Sequence, residues 1–245
     1  MKHALILAGR VLSQLKGDRR FLALFLLAPL IIIYFLKLFF DTFPPYIDVK
    51  HYVIPVCAFI VHFLSLILCA ILLVQERVRG TLERMMISGF SKPSIIGGYT
   101  MGYLGLATLQ AAGTLGETVW LFHLHYSIEA VILLFAVLWL LAVVSVMLGI
   151  FISTFARHEG HVFPFIPLLV LPSVFLTGLL IEPSGLPAWA SAIGKCLPIH
   201  YAINIIREIV KPAYSVSATL VDFGILGLYI VLLLGLASFT LREGE

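Results

Sequence analysis

Charged residues are scarce in this chain of 245 residues, of which only 12% are Asp, Glu, Lys or Arg. A water-soluble domain carries roughly 25% charged residues. Here 61% of residues are hydrophobic and the mean hydropathy is +1.07. The composition therefore excludes an ordinary soluble enzyme or binding module and indicates an integral membrane protein. Once the apolar runs are counted, no second globular domain fits, so residues 1–245 are predicted to form one transmembrane domain.

Several chemical motifs are also absent. The three cysteines form no CxxC pair and are best explained as small hydrophobes: Cys57, Cys69 and Cys196. No G-x-x-x-x-G-K-[ST] occurs, so nothing in the sequence would cradle the phosphates of ATP. His158 and His161 are three residues apart where the zinc motif H-E-x-x-H needs four, so no metal or other cofactor is expected. With no paired aspartates or Ser-His pair at matched depth either, an intramembrane enzyme is disfavoured.

Six apolar runs are long enough to cross a bilayer as helices, which takes about 20 residues. They are 21–40, 52–74, 95–122, 128–155, 162–181 and 220–241. The first begins at Phe21 and exceeds the apolar region of a cleavable signal, so it is predicted to stay in the membrane. Pro164, Pro167 and Pro172 predict a kinked or broken fifth span. The predicted fold class is all-α integral membrane with six transmembrane helices.

The positive charges predict the orientation. Six spans place both termini on one side, and eleven of the sixteen Lys and Arg residues then fall on that side. Because positive residues concentrate on the cytoplasmic side, we expect a multi-pass protein of the inner (plasma) membrane with both termini inside. The net charge of +3 fits contact with anionic lipid headgroups and gives no case for nucleic acid.

Two segments outside the spans have helical patterns too short to cross. Residues 1–18 place apolar side chains at helical spacing and predict an amphipathic helix along the membrane surface, with a solvated leader as the alternative. The external segment 182–218 predicts two short re-entrant helices, Pro187–Cys196 and Ile199–Val210. Within the third span, Gly98 and Gly102 form a GxxxG motif that would let another helix approach closely.

The loop 75–94 holds the densest run of charge in the chain. Gly80 and Gly89 are predicted to bound a short helix over Thr81–Ser88. One face of that helix would be apolar and rest on the span ends: Leu82, Met85 and Met86. The other face would offer charge to a soluble partner: Glu83, Arg84 and Ser88. Periodicity alone leaves open whether this loop docks a partner or is simply solvated.

Residues 76–88 resemble the E-R-x-x-G-T-L-E-R-L-L motif of ABC-2-type transporter permeases. Three other segments are similar to motifs of that family, in the family's order. Residues 18–30 resemble its D-R-R…A-P-L entry to the first span, and residues 175–189 its F-L-S-G…P…L-P-x-W segment. Residues 195–207 resemble N-P-L-T-Y-A…R, with Leu197 and His200 in place of Asn and Thr. Together these segments cover almost the whole chain.

The resemblance implies a six-span ABC-2 (type V exporter) fold. It further implies a dimer of permease chains docked onto two cytoplasmic subunits that bind ATP and Mg²⁺ and hydrolyse the ATP. The predicted coupling residues are Glu76, Arg77, Arg79, Gly80, Thr81, Leu82, Glu83, Arg84, Met85 and Ser88. The predicted substrate path, chosen by location on spans two and five, comprises Phe59, His62, Phe63, Phe165, Phe175 and Thr177. His62 is alternatively a hydrogen-bonded packing residue.

The expected function is that of a non-catalytic membrane subunit in an ATP-driven exporter. The entry motif most resembles multidrug or antibiotic-resistance exporters, which favours a hydrophobic or amphipathic small molecule, or a lipid, as substrate. Polysaccharide or haem-like cargo remains an alternative within the same class. A channel or scaffold that needs no nucleotide is the alternative from another class, and co-purification with an ATP-binding subunit would discriminate the two.

Overall fold

A computed structural model describes residues 2–44, 50–180, 185–211 and 214–240, and all regular structure in these ranges is helical. The helices are α1 (Lys2–Gly17), α2 (Arg19–Phe40), α3 (Lys50–Val78), α4 (Thr81–Ile87), α5 (Lys92–Leu121), α6 (Ile128–Ser153), α7 (Phe165–Leu176), α8 (Ala188–Lys195), α9 (Pro198–Ile209) and α10 (Val216–Thr240). The predicted ends of spans five and six, at residues 181 and 241, lie outside the described residues, as do Pro183, Pro212 and Arg242.

Within the described residues, five helical segments are long and apolar enough to cross a membrane: α2, α3, α6, α10 and Glu159–Leu176. The predicted third span, α5, is 30 residues long but is not among these five. Its apolar character is diluted by glycines and by polar residues such as Thr100, Gln110 and Thr114. The two threonines hydrogen bond to backbone carbonyls of their own helix, which satisfies their hydroxyls inside the bundle.

The predicted fifth span, 162–181, is shorter in the structure. A 3₁₀ turn at Glu159–His161 precedes α7, which has only 12 residues. Pro167 stands in the first turn, where its missing N–H costs no helical bond. The helix ends at Leu176, and Gly178 follows with φ 96, a left-handed conformation that terminates helices.

The core of the bundle is the crossing of α3 and α6. Gly149 of α6 lies against the α3 backbone so closely that a β-carbon there would stand 2.4 Å from the carbonyl oxygen of Leu66. Large apolar side chains of α6 are fully buried around this crossing: Leu134, Leu138, Leu141 and Ile150. Close backbone approach through small residues is how helices associate in lipid. The contact fixes α3 and α6 as one unit.

The GxxxG motif of α5 receives the N-terminal helix. A β-carbon at Gly98 would lie 2.5 Å from Leu7 Cβ, and one at Gly102 would lie 2.6 Å from Val11 Cγ1. Helix α1 thus buries one apolar stripe against α5, while Leu5 and Leu12 on its other side are exposed. The helix predicted for residues 1–18 forms over Lys2–Gly17, and five of its eight apolar side chains are buried against the protein.

Two short helices, α8 and α9, cap the opposite end of the bundle from α4, close to the predicted boundaries. Gly194 of α8 packs on the carbonyl of Leu176. His200 Nδ1 lies 3.2 Å from the carbonyl oxygen of Thr177. Burial lowers the pKa of His200 below its ordinary value, so the ring is neutral at pH 7. Arg207 donates a hydrogen bond to the carbonyl oxygen of Gly178 and so ties α9 to the end of α7.

Candidate functional site

Helix α4 forms between two glycines with positive φ, as the sequence predicts. Gly80 has φ 69 and Gly89 has φ 84, conformations that residues with a β-carbon rarely adopt. Arg84 folds back over the start of the helix, and its Nη2 donates to the carbonyl oxygen of Arg79 at 2.9 Å. Ser88 Oγ donates to the carbonyl oxygen of Arg84 at 2.8 Å. These local bonds hold a helix of only seven residues.

The two faces of α4 differ as predicted. Leu82 and Met85 are buried against the bundle, whereas Glu83, Arg84 and Ser88 are exposed. Sequence reasoning missed one feature of the outer face. Ile87 is 86% exposed and stands among these polar groups. The outer side of α4 therefore carries Glu83, Arg84 and Ser88 together with one exposed apolar side chain, Ile87, at the end of the helix.

Glu76 lies elsewhere than predicted. Helix α3 continues to Val78, so Glu76 belongs to its last turn and not to the loop 75–94. Its side chain is turned inward and is 2% exposed. The carboxylate accepts hydrogen bonds from Tyr99 Oη at 3.1 Å, from Arg10 Nη2 at 3.4 Å and from Gln14 Nε2. A single carboxylate thus joins α3 to both α1 and α5.

Arg77 is also turned inward. Its Nη1 donates to the carbonyl oxygens of Ser153 at 2.9 Å, Thr154 at 3.4 Å and Ala156 at 2.7 Å. The last carbonyls of a helix lack intrahelical partners, so the guanidinium caps the C-terminus of α6 and places its charge at the negative end of the helix dipole. The prediction that residues 75–78 lie in a loop was wrong, because helix α3 continues to Val78. The side chains of Glu76 and Arg77 form hydrogen bonds to neighbouring helices.

A shallow groove separates α4 from α1. It has a volume of about 320 Å³ and is lined by Arg10, Thr81, Arg84, Met85, Ser88 and Phe90. The guanidinium of Arg10 links this groove to the interior, since it contacts both Met85 Sδ and Glu76. Arg79 follows α3 and is exposed beside the groove. Predicted coupling residues on α4 are thereby brought together with the N-terminal helix, which the sequence did not indicate.

The predicted path residues separate into two groups. Phe59, His62 and Phe63 line one cleft between α3 and α7, which also contains Ser173. The rings of Phe59 and Phe63 are parallel, with centroids 5.9 Å apart. His62 Nδ1 lies 2.7 Å from the hydroxyl oxygen of Ser145 on α6, so the imidazole is hydrogen-bonded within the bundle.

The three predicted path residues on or directly after α7 differ in their surroundings. Phe165 is half-buried at the start of the helix, and Phe175 is exposed on its outer side. Thr177 is fully buried, and its hydroxyl donates to the carbonyl oxygen of Ser173. In the chain as described, Thr177 is therefore part of the contact between α7 and α9 and does not line the cleft.

The sequence matches the ABC-2 type transporter family over residues 3–211, which runs from α1 to the end of α9. The chain belongs to this family. It is 24% identical over 171 residues to "Probable multidrug ABC transporter permease YbhR" of Escherichia coli K12. It is 25% identical over 172 residues to "Linearmycin resistance permease protein LnrN" of Bacillus subtilis 168.

These matches cover 69% and 70% of this chain but only 46% and 42% of the two relatives. A third, "ABC transporter G family member 20" of Dictyostelium discoideum, is 27% identical over 175 residues, covering 70% of this chain and 24% of its own length. The chain thus spans less than half the length of the curated relatives it matches. As an ABC-2 chain it is a transmembrane protein of the permease type, built from apolar helices.

Proposed function

We propose that this ABC-2 chain is the membrane-spanning subunit of an ATP-driven exporter, and that α4 is the surface on which an ATP-hydrolysing partner subunit docks. In this proposal α5 also crosses the membrane, which brings the number of spans to six. The termini are cytoplasmic, and α8 and α9 lie in the outer leaflet. The permease subunit is not itself an enzyme. ATP and Mg²⁺ are bound by the partner, because this sequence has no loop to hold nucleotide phosphates.

The arrangement around α4 carries the proposal. Its outer face offers Glu83, Arg84 and Ile87 to a soluble partner. Its inner face packs on the bundle through Leu82 and Met85, which belong to the same buried apolar cluster as residues of α1, α2, α3, α5 and α6. A short helix held this way cannot be displaced alone. Force applied to its outer face must move the ends of the spanning helices.

The inward contacts of α3 determine which helices would move together. Glu76 fastens the end of α3 to α1 and α5, and Arg77 fastens it to the C-terminus of α6. When ATP closes the partner subunits, the push on α4 would therefore tilt α3 and α5 together and open a path on the side of α3 that faces α7. Rigid elements with two packed arrangements can transmit a change across a membrane protein in this manner.

The cleft between α3 and α7 has an apolar lining, but its volume is only about 10 Å³, so it would have to widen to admit cargo. Phe59 and Phe63 stack there, and the remaining lining residues are aliphatic apart from His62 and Ser173. A second permease copy, with α7 and α3 facing across a shared interface, would enclose the path. We therefore favour a hydrophobic or amphipathic small molecule, such as a drug or antibiotic, or a lipid. The names of the two bacterial relatives, a probable multidrug permease and a linearmycin resistance permease, agree with a small-molecule substrate.

Charge reversal on α4 tests the docking surface. The double variant Glu83→Arg/Arg84→Glu should insert normally, because both side chains are exposed, although it loses the bonds that Arg84 donates to the carbonyl oxygens of Gly80 and Arg79. Transport should fall at least about tenfold, which is the loss expected if charge pairs between α4 and the partner worth about 1.4 kcal/mol or more are broken. The ATPase activity of the reconstituted complex should no longer respond to substrate. Glu159→Arg is the matched control, since Glu159 is exposed at the same end of the bundle but far from α4 in sequence.

Unchanged coupling in the double variant would refute docking at α4. Cargo class is tested by measuring ATPase stimulation with a panel containing apolar drugs, a lipid, an oligosaccharide and haem. Stimulation by the oligosaccharide or haem alone would move the proposal to those cargoes. Purification without any ATP-binding subunit, together with nucleotide-independent flux, would favour a channel or scaffold.

A further inference from the structure

A cavity of about 460 Å³ opens among the ends of α1, α2, α3 and α5, and its lining shares no residue with that of the groove beside α4. This volume is within the range of pockets that bind small molecules or headgroups. Three arginines line the cavity, two of them adjacent at the start of α2 and one directly after α3: Arg19, Arg20 and Arg79. All three are exposed, and none has a side-chain hydrogen bond or ion pair to another described residue.

The negative charges of the cavity are already engaged. Glu76 is paired with Arg10 and hydrogen-bonded to Gln14 and Tyr99. Asp18 caps helix α2, where its Oδ1 accepts a hydrogen bond from the backbone N–H of Phe21 at 3.0 Å. With Glu76 paired to Arg10, the three guanidinium groups outnumber the one remaining carboxylate of the lining, Asp18, by two. Arginine binds phosphate oxygens through two parallel N–H bonds, so a cluster of three favours a phosphate-bearing ligand.

An independent observation comes from the inner wall of the cavity. Tyr103 lines it and is 1% exposed, yet its hydroxyl has no hydrogen-bond partner in the part of the chain that the structure describes. A buried O–H without an acceptor is destabilising. The hydroxyl has almost no accessible surface, so an anionic oxygen in the cavity would supply that acceptor once the cavity wall in front of Tyr103 moves aside. The neighbouring wall is apolar at Val11, Leu15 and Leu72, which suits the glycerol and first acyl carbons of a lipid.

We propose that this cavity binds a phosphate group, with the arginines holding its charge and Tyr103 donating to one of its oxygens. The phosphate comes from an anionic phospholipid headgroup or from a free phosphate ion. Both sources share the same recognition chemistry. The site is separate from the cleft between α3 and α7 and from the face of α4. Its occupancy can be measured without any transport assay, so it stands or falls independently of the proposed function.

The test uses the purified full-length chain in phosphate-free detergent, with native mass spectrometry and thermal unfolding as readouts. Phosphatidylglycerol should bind at one molecule per chain, at least about tenfold more tightly than phosphatidylcholine, whose trimethylammonium group would face the arginines. It should also raise the unfolding temperature. The variant Arg19→Gln/Arg79→Gln should lose about tenfold or more in affinity. Arg157→Gln is the control, because Arg157 is an exposed arginine that does not line the cavity.

Tyr103→Phe provides a second variant that tests binding without disturbing the fold. It removes only a hydroxyl that has no partner among the described residues, so its unliganded unfolding temperature should equal or exceed that of the wild type. Its affinity for phosphatidylglycerol should fall about tenfold, the effect of losing one hydrogen bond to a charged acceptor. A structural role for the hydroxyl would instead lower the unliganded stability.

Inorganic phosphate distinguishes the sources. If millimolar phosphate displaces the lipid and raises the unfolding temperature alone, the ligand is the free ion. If it does neither while phosphatidylglycerol binds, the ligand is the lipid. Equal binding of the two lipids, wild-type affinity in the double arginine variant, or binding of neither probe would overturn the proposal.

Discussion

The substitution Glu76→Ala tests whether the end of α3 is tied internally. It removes the carboxylate that accepts from Arg10, Gln14 and Tyr99, and it leaves those donors on two other helices without their acceptor. Tyr99 is buried, so water cannot replace the lost bond. Arg10 is 42% exposed at its side chain and can turn to solvent. The cost should therefore come from the buried hydroxyl and the amide of Gln14.

A buried donor left unsatisfied costs about 1–3 kcal/mol, and a hydrogen bond to a charged acceptor contributes about 1.5–3 kcal/mol. The pair with Arg10 adds less, because its guanidinium is partly exposed and lies 3.4 Å from the carboxylate. Glu76→Ala should thus lower the free energy of unfolding by about 3 kcal/mol. Glu76→Gln should cost about 1 kcal/mol, because the amide oxygen still accepts one bond. Glu83→Gln, an exposed carboxylate of α4, should stay within about 0.5 kcal/mol of the wild type.

The free energies would be measured by unfolding in mixed detergent micelles titrated with dodecyl sulfate. A double-mutant cycle with Tyr99→Phe should give a coupling of about 1 kcal/mol between the two residues. Glu76→Gln should also keep its affinity for the ATP-binding partner, since the side chain faces inward. Wild-type stability in Glu76→Ala, or loss of partner binding in a stable Glu76→Gln, would show that the carboxylate faces the partner instead.

Three further outcomes are expected in the same unfolding titration. Gly98→Ala should cost about 1–3 kcal/mol because its β-carbon would overlap α1, whereas Gly97→Ala, which meets nothing within 4 Å, should be neutral or stabilising. Arg77→Gln should cost about 2 kcal/mol by uncapping α6, whereas Arg157→Gln should not differ from the wild type. The pKa of His200 is lowered in the folded protein, so the unfolded chain takes up the proton first as the pH falls. The stability advantage of the wild type over His200→Gln should therefore shrink below about pH 6.5. Parallel pH profiles of the two proteins would contradict this.

Local signals predicted much of the fold. Two glycines with a charged, apolar-striped segment between them predicted α4, and the structure contains it with Leu82 and Met85 buried. Two short stretches of helical pattern likewise predicted α8 and α9 close to their observed bounds. These elements are determined by residues within one or two turns of each other, so a single sequence suffices to find them.

Long-range contacts could not be predicted in the same way. Glu76 follows an apolar run and looks like the first residue of a loop, but its partner Arg10 is 66 positions away in the chain. The GxxxG of α5 predicted a close helix contact without indicating that α1 would make it. The early end of α7 could have been predicted, since the prolines in it and Gly178 after it are local signals in the sequence.

The most direct test of the central claim is the sidedness of α4, because only a cytoplasmic α4 can meet an ATP-hydrolysing partner. Cys57 and Cys69 are buried, whereas Cys196, directly after α8, is exposed. Labelling of Cys196 therefore reports on which side of the membrane the end of the bundle opposite α4 lies. In intact cells a membrane-impermeant maleimide should label Cys196 of the wild type. A Ser88→Cys variant made in a Cys196→Ser background should be labelled only after the membrane is permeabilised. Labelling of Ser88→Cys in intact cells would contradict the account.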